Sequence, residues 1–215
     1  MKKEWVRAAL ITALVVVLQG GLDVQAAQAG VRTLDTPVPV SVPAGKVEVV
    51  EFFHFGCQYC RLLEPTLATW REKQGDRIVF RRVPVAPVPQ LLPYAKLYHA
   101  LVALHQEALI PAAFDAIHGG SNRLLTTEQQ MAFVSAHGVD PQRFAAMVDA
   151  PATQRALQAD RQMWEAYRVR AVPMLVVQGK YSPTLGTGPA ETVDALDRIV
   201  ADQVNEYQRE AGRKK

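Results

Sequence analysis

The chain has only two cysteines among its 215 residues, too few for the disulfide framework that holds small exported folds together. It also has little excess charge. The formal net charge is +3, and no basic cluster with interleaved aromatic residues occurs, so the electrostatic footprint of a nucleic-acid binder is missing. Arg213-Lys214-Lys215 reads as a solvated tail. No internal repeat, Walker loop, H-E-x-x-H or Ser–His–Asp motif is visible, which removes the usual signatures of repeat scaffolds, P-loop enzymes, zinc proteases and serine hydrolases. Gly186-x-Gly188 is a loop signal, because the rest of a dinucleotide fingerprint is absent.

A membrane-length apolar run is lacking at the start of the chain as well. Ala8 to Leu18 spans eleven residues, against the roughly 20 of a spanning helix. Preceded by Lys2, Lys3 and Arg7 and followed by small and polar residues ending in Ala27-Gln28-Ala29, it has the three-part plan of a secretory signal peptide. Cleavage is expected after Ala29, with Ala26 and Ala27 as alternative sites and an uncleaved anchor as the other reading. Removing residues 1–29 takes away three basic and two acidic side chains and leaves about 186 residues at about +2. With 49% hydrophobic content in the whole chain, that is enough for one sizeable core, or for one fold carrying an insertion.

What the chain does have is Cys57-Gln58-Tyr59-Cys60, placed where the apolar run Val47 to Phe53 meets a helix-like stretch, Arg61 to Glu72. A C-x-x-C at a strand-to-helix junction reads as a redox dithiol. The strand delivers the first sulfur to the open helix N-terminus, where unpaired N–H groups and the positive dipole end favour thiolate over thiol. Cys57 is therefore the expected nucleophile, and Cys60, one turn further in, the expected resolving thiol. Two other readings stand beside this one. A structural disulfide across so short a loop would remove little entropy from the unfolded chain. Half of a zinc site would need about two more ligands, and His54, His99, His105, His118 and His137 are not paired at ligand spacing. A redox dithiol needs neither a metal nor an organic cofactor, and none is expected.

After Pro37, Pro39 and Pro43, the pattern gives a strand over Val47–Phe53, a helix over Cys57–Lys73 and a strand over Ile78–Val83, a β-α-β unit. Pro84, Pro87, Pro89 and Pro93 then interrupt regular structure. Helices are expected near Tyr94–Leu109, Pro111–His118, Thr127–His137, Pro141–Asp149 and Ala152–Tyr167. Thr127 with Gln130 fits a capping box, Asp140-Pro141 fits N-cap and N1, and Gly138 fits a helix end. Strand signals return at Val172–Val177, followed by a Gly179-Lys180 turn, an extended piece near Tyr181, and a terminal helix near Glu191–Glu210.

This order, with Glu51-Phe52-Phe53-His54-Phe55-Gly56-Cys57-Gln58-Tyr59-Cys60, then Val172-Pro173, then Val177-Gln178-Gly179-Lys180-Tyr181, resembles the DsbA family of thioredoxin-fold disulfide oxidases across essentially the whole mature chain. The resemblance implies an α/β fold (α+β by some schemes), a thioredoxin fold with a helical-domain insertion. Residues 30–87 and 169–215 would form the thioredoxin-like domain and 88–168 the inserted helical domain. It also implies a cis Val172–Pro173 bond beside Cys57, with the Val172 backbone available to pair with an extended substrate.

Glu51 and Glu64 match acidic positions beneath the active site of the family. Each could move protons to or from Cys60, or be held in a buried ion pair, with Arg81 as one candidate partner. The sequence departs from the family between the cysteines: well-known members carry Pro-His, and this chain carries Gln58-Tyr59. Without a histidine cation the reduced form is less stabilised, so the expected potential lies between roughly −120 mV and roughly −270 mV, nearer the oxidising end. His54 could compensate, or could have no redox role.

The expected function is that of an exported thiol:disulfide oxidoreductase that donates its Cys57–Cys60 disulfide to newly translocated proteins in the periplasm. Family resemblance implies reduced, folding exported proteins as partners, a DsbB-type membrane quinone-linked reoxidase, and a monomer. The alternatives are an isomerase or reductase of the same fold, and a metal-binding or thiol-holding chaperone that uses the same cysteines without turnover.

Overall fold

The computed structural model describes residues 30–120 and 123–213; the expected signal peptide, residues 1–29, lies outside them. Five strands form one sheet: β1 (Val31–Thr33), β2 (Val47–Phe53), β3 (Ile78–Pro84), β4 (Met174–Val177) and β5 (Tyr181–Pro183). Their spatial order is β1-β5-β4-β2-β3, with β2 and β3 parallel and the other pairs antiparallel. Helix α1 (Gln58–Gln74) makes the crossover from β2 to β3, as a parallel pair requires. Between β3 and β4 run α2 (Leu92–Ala103), α3 (Ile110–Gly119), α4 (Thr127–Ala136), α5 (Pro141–Val148) and α6 (Pro151–Ala166), and α7 (Pro189–Arg213) follows the sheet. The architecture is the thioredoxin fold with a helical insertion.

Strand β2 is buried along its whole length and divides the core. One of its faces sets Val47 and Val49 against Leu63 and Leu67 of α1 and Leu196 and Ile199 of α7. The other sets Val50 and Phe52 against Tyr167 and the end of α6. At the exit of β2, Phe53 and Phe55 join Phe114 and Leu101 of the helical block, with Phe55 edge-on to Phe114 at 4.9 Å between ring centroids. The strand that leads to Cys57 is thus clamped by both parts of the fold, and each buried Phe or Leu in that clamp is worth about 1.5–3 kcal/mol.

Several expected boundaries shift, each for a local reason. The expected helix Tyr94–Leu109 is two elements. It ends at Ala103, His105 takes a left-handed φ of 56°, and the Gln106 N–H returns to the Leu101 carbonyl. Pro111 cannot donate and its ring would clash one turn back, so it opens α3 instead of continuing α2. The cap of α4 is Thr126, not Thr127: its hydroxyl accepts from the Gln129 N–H at 3.3 Å, while Gln129 Oε1 accepts from the Leu125 N–H at 2.8 Å. Gln130 is buried and donates to the carbonyls of Pro93 and Leu124. Val172 and Pro173 precede the strand, which starts at Met174. Strand β1 was not expected; three exposed edge residues offer no alternation to read.

Candidate functional site

Cys57 is the N-cap of α1, with extended backbone at φ −88° and ψ 114°. Its Sγ accepts the Cys60 N–H at 3.2 Å, taking the place of the hydroxyl or carboxylate oxygen found at most caps. No acidic side chain occupies the first turn, so nothing on the helix itself offsets its positive end. The position is held by the Cys57 N–H donating to the His54 carbonyl at 2.9 Å and by Arg61 N–H donating to the Cys57 carbonyl at 3.1 Å. Both cysteines are thiols in this structure; Cys57 is half-buried and Cys60 fully buried.

The two sulfurs have opposed acidities. The hydrogen bond from Cys60, assisted by the backbone N–H groups of Cys60 and Tyr59, brings Cys57 down to about 7, against the opposing effects of partial burial and the Glu51 charge. Burial drives Cys60 far up, and the neighbouring Cys57 and Glu51 push it further. One proton is therefore shared unequally: near neutral pH the outer sulfur is partly thiolate and the inner one stays protonated.

Across from Cys57 stands the Val172 carbonyl, which accepts the thiol at 3.4 Å, and the Val172–Pro173 bond is cis. Cys57 and Val172 line one open groove of about 560 Å³ with His54, Val85, Pro87, Trp164 and Val169. A larger hollow between α1 and α7 lies beside Trp70 and Asp197 and holds neither cysteine.

Glu51 and Glu64 lie beneath the pair, 1% and 4% exposed. Their partner is Arg82, not Arg81. Arg82 Nε donates to Glu51 at 2.7 Å, and its terminal nitrogen donates to Glu64. The register explains the correction. Glu51 pairs with Arg82 across the parallel strands, whereas Arg81 shares the opposite face with Glu48 and meets its carboxylate at 3.1 Å. Burial raises the Glu64 carboxyl against the pull of Arg82, and the Arg82 guanidinium is held charged by the two carboxylates despite its own burial.

The dipeptide between the cysteines is placed differently from a histidine-like tuning role. The Tyr59 hydroxyl sits 3.2 Å from Thr192 Oγ1 and 3.5 Å from the Gly186 carbonyl, linking the start of α1 to α7. Its backbone N–H, not its hydroxyl, acts on Cys57. Gln58 is exposed at the first helical position. His54 is half-buried in the groove, and burial followed by the charge of His118 lowers its pKa, so it supplies no cation near neutral pH. Gly56 makes room there, since a Cβ would meet the Tyr94 ring at 3.0 Å and His54 Nδ1 at 3.4 Å.

Arg82, Thr192 and the groove walls Trp164 and Val169 were not anticipated. Strand parity could have found Arg82 once the register was known; the others are brought in by packing between distant segments. Among the described residues, no group of three or more His, Cys, Asp or Glu side chains is placed to hold a metal ion.

Comparison with known proteins gives one consistent result. A family model described as a DSBA-like thioredoxin domain matches residues 48–200. The chain is 44% identical over 162 residues to the thiol:disulfide interchange protein DsbA of Burkholderia cepacia, covering 75% of this chain and 74% of that protein. It is 34% identical over 170 residues to the protein of the same name from Pseudomonas aeruginosa, covering 78% and 80%. The crystal structure of Pseudomonas aeruginosa DsbA superposes with a TM-score of 0.75 at 32% identity, over 87% of this chain and 95% of that one. DsbA from Xylella fastidiosa superposes at 0.73 with 28% identity, over 80% and 94%.

Proposed function

The chain belongs to the DSBA-like thioredoxin family, and from that premise we propose that it is an exported thiol:disulfide oxidoreductase donating its Cys57–Cys60 disulfide to newly translocated proteins. The observation that carries the reading is the Cys57 sulfur at the α1 cap, taking the Cys60 N–H and facing the Val172 carbonyl.

A substrate thiolate attacks Cys57 of the oxidised pair, and the Cys57–Cys60 bond breaks with its electron pair on Cys60, which takes up a proton. A second substrate thiolate then attacks the substrate sulfur of the mixed disulfide and expels Cys57 as thiolate. The substrate dithiol loses two electrons and the pair gains them. Expulsion of Cys57 is favoured because the thiol with the lower pKa leaves faster. Once expelled, Cys60 takes up a proton and holds it strongly, which keeps it from re-attacking the mixed disulfide, and the buried Glu51–Arg82–Glu64 group lies close enough to bias that proton through the Glu51 charge. In the mixed disulfide, the Val172 carbonyl is open to a backbone N–H of the substrate, the β-augmentation mode of peptide recognition.

The dithiol is itself the redox group and needs no other cofactor. Turnover then requires an electron acceptor, and a DsbB-type membrane quinone-linked reoxidase fits family membership. Residues 1–29 have the plan of a cleavable signal, which supports the periplasm as the place where the protein meets unfolded substrates.

One observation keeps the reductase or isomerase direction in view: Cys57 comes down only to about 7, not to the roughly 3.5 of the most oxidising proteins of this fold. With Gln58-Tyr59 between the cysteines in place of a histidine-bearing dipeptide, the potential is expected between about −120 mV and about −270 mV. Equilibration against glutathione with thiol trapping checks it. A value at or below about −270 mV, or an oxidised protein that fails to oxidise a reduced peptide stoichiometrically, would overturn the donor reading.

A further inference from the structure

Next to the catalytic groove is a second hollow of about 360 Å³, between the β1 segment and the end of α6. Arg32, Arg168 and Arg170 line it, with Asp35, Tyr167 and Met174. All three arginines are exposed, and none forms an ion pair among the described residues. Arg61, Arg81, Arg82 and Arg161, by contrast, are each held by a carboxylate. Three unpaired guanidinium groups thus face one hollow against the single carboxylate of Asp35.

This hollow adjoins the reaction site. Arg170 lines both it and the groove that holds Cys57 and Val172. The backbone groups of Arg170, Ala171 and Val172 make no backbone hydrogen bond among the described residues, which leaves that stretch ready to pair with an extended chain. In such a chain alternate side chains share a face, and residues two apart lie roughly 6.5–7 Å from one another. When the substrate cysteine meets Cys57 beside Val172, the side chain two positions along on the same face arrives at Arg170. Arg168 and Arg32 lie beyond it.

We propose that Arg32, Arg168 and Arg170 form a subsite that reads the flank of the substrate, favouring segments with Asp or Glu two to four residues from the reacting cysteine. The inference rests on the donor function proposed above and adds a preference to it. Guanidinium groups bind carboxylates through paired N–H donors, and complementary charge at an exposed site acts mainly by raising the productive encounter rate. Individually such exposed pairs are weak, so three together should change the second-order rate by about fivefold.

The test uses the oxidised protein without residues 1–29 and three sets of two-cysteine peptides, carrying Asp, Ser or Lys at the second and fourth positions before or after the cysteine pair. Single-turnover oxidation is followed by thiol trapping at low salt and at about 1 M salt, where the Debye length is about 3 Å. On at least one flank the Asp peptides should react about fivefold faster than the Lys peptides at low salt, and the ratio should fall towards one at high salt. It should also fall in an Arg32→Ser/Arg168→Asn variant; asparagine tolerates the left-handed φ of 50° at Arg168. Equal rates for Asp and Lys peptides, or a ratio unchanged in the variant, overturn the subsite and leave the donor function standing. Failure to oxidise any of the peptides overturns the donor function and the subsite with it.

Discussion

A Cys57→Ser variant is expected to lose disulfide exchange altogether, whereas Cys60→Ser should form a mixed disulfide at Cys57 and release it on the order of a hundredfold or more slowly. Cys60 is fully buried and strongly holds its proton, so it cannot take over attack on an external disulfide when Cys57 is gone. In the second variant the outer sulfur still reacts, but the internal resolving thiol is missing. A well-oriented intramolecular group can act at an effective molarity of up to ~10⁵ M or more, which millimolar thiol in solution does not match. Mass spectrometry after treatment with oxidised glutathione distinguishes the two variants. Continued exchange by Cys57→Ser would mean that the buried sulfur is the nucleophile.

Replacing Arg82 with methionine is expected to cost about 3–5 kcal/mol of stability at neutral pH, because it leaves two buried carboxylates without their cation. Glu51 and Glu64 both bind that guanidinium, and its side chain is only 5% exposed. The loss should be smaller at about pH 5 than at pH 7.5. Burial already raises the Glu64 carboxyl, and without Arg82 the pull that opposes this rise is gone, so its folded-state pKa stands above the unfolded value of about 4.3. The folded protein then binds protons that the unfolded chain releases, and stability falls as pH rises through that window. Urea unfolding at the two pH values measures this directly. A companion Glu51→Met/Glu64→Met/Arg82→Met variant, which replaces all three charges by apolar side chains of similar length, should recover most of the stability, since replacing an entire buried ion cluster by packed apolar residues is often neutral. It should also lower the Cys57 pKa, because the Glu51 charge raises it in the native protein.

Much of this site could be read from local sequence, and the part that could not has a physical pattern. Cys57, Cys60 and the helix they open are set by neighbours within one turn, so spacing alone locates them. The fold was implied by the resemblance to the DsbA family, which the order of strand and helix signals, the C-x-x-C segment and the Val172-Pro173 and Val177-to-Tyr181 stretches carry. Glu51 was recognised as a carboxylate in an apolar strand, but its partner depends on the register of β2 against β3, and a shift of one residue exchanges Arg82 for Arg81. Tyr59 was read only as the absence of a histidine between the cysteines, and its own contacts were not foreseen. Its direction is set by Thr192 and Gly186, more than 120 residues away in sequence, and no local pattern encodes that contact. The capping of α4 shows the same limit at short range: Thr126 and Thr127 are equally good caps, and burial of Gln130 decides between them.

The most direct test of the account is the pH dependence of alkylation in the reduced protein, with the labelled cysteine identified by peptide mapping. Iodoacetamide should modify Cys57 alone, along a single titration with a midpoint near 7, while Cys60 stays unmodified across the neutral range. Labelling of Cys60 first, or a common midpoint for both thiols near the ordinary value of about 8.5, would contradict it.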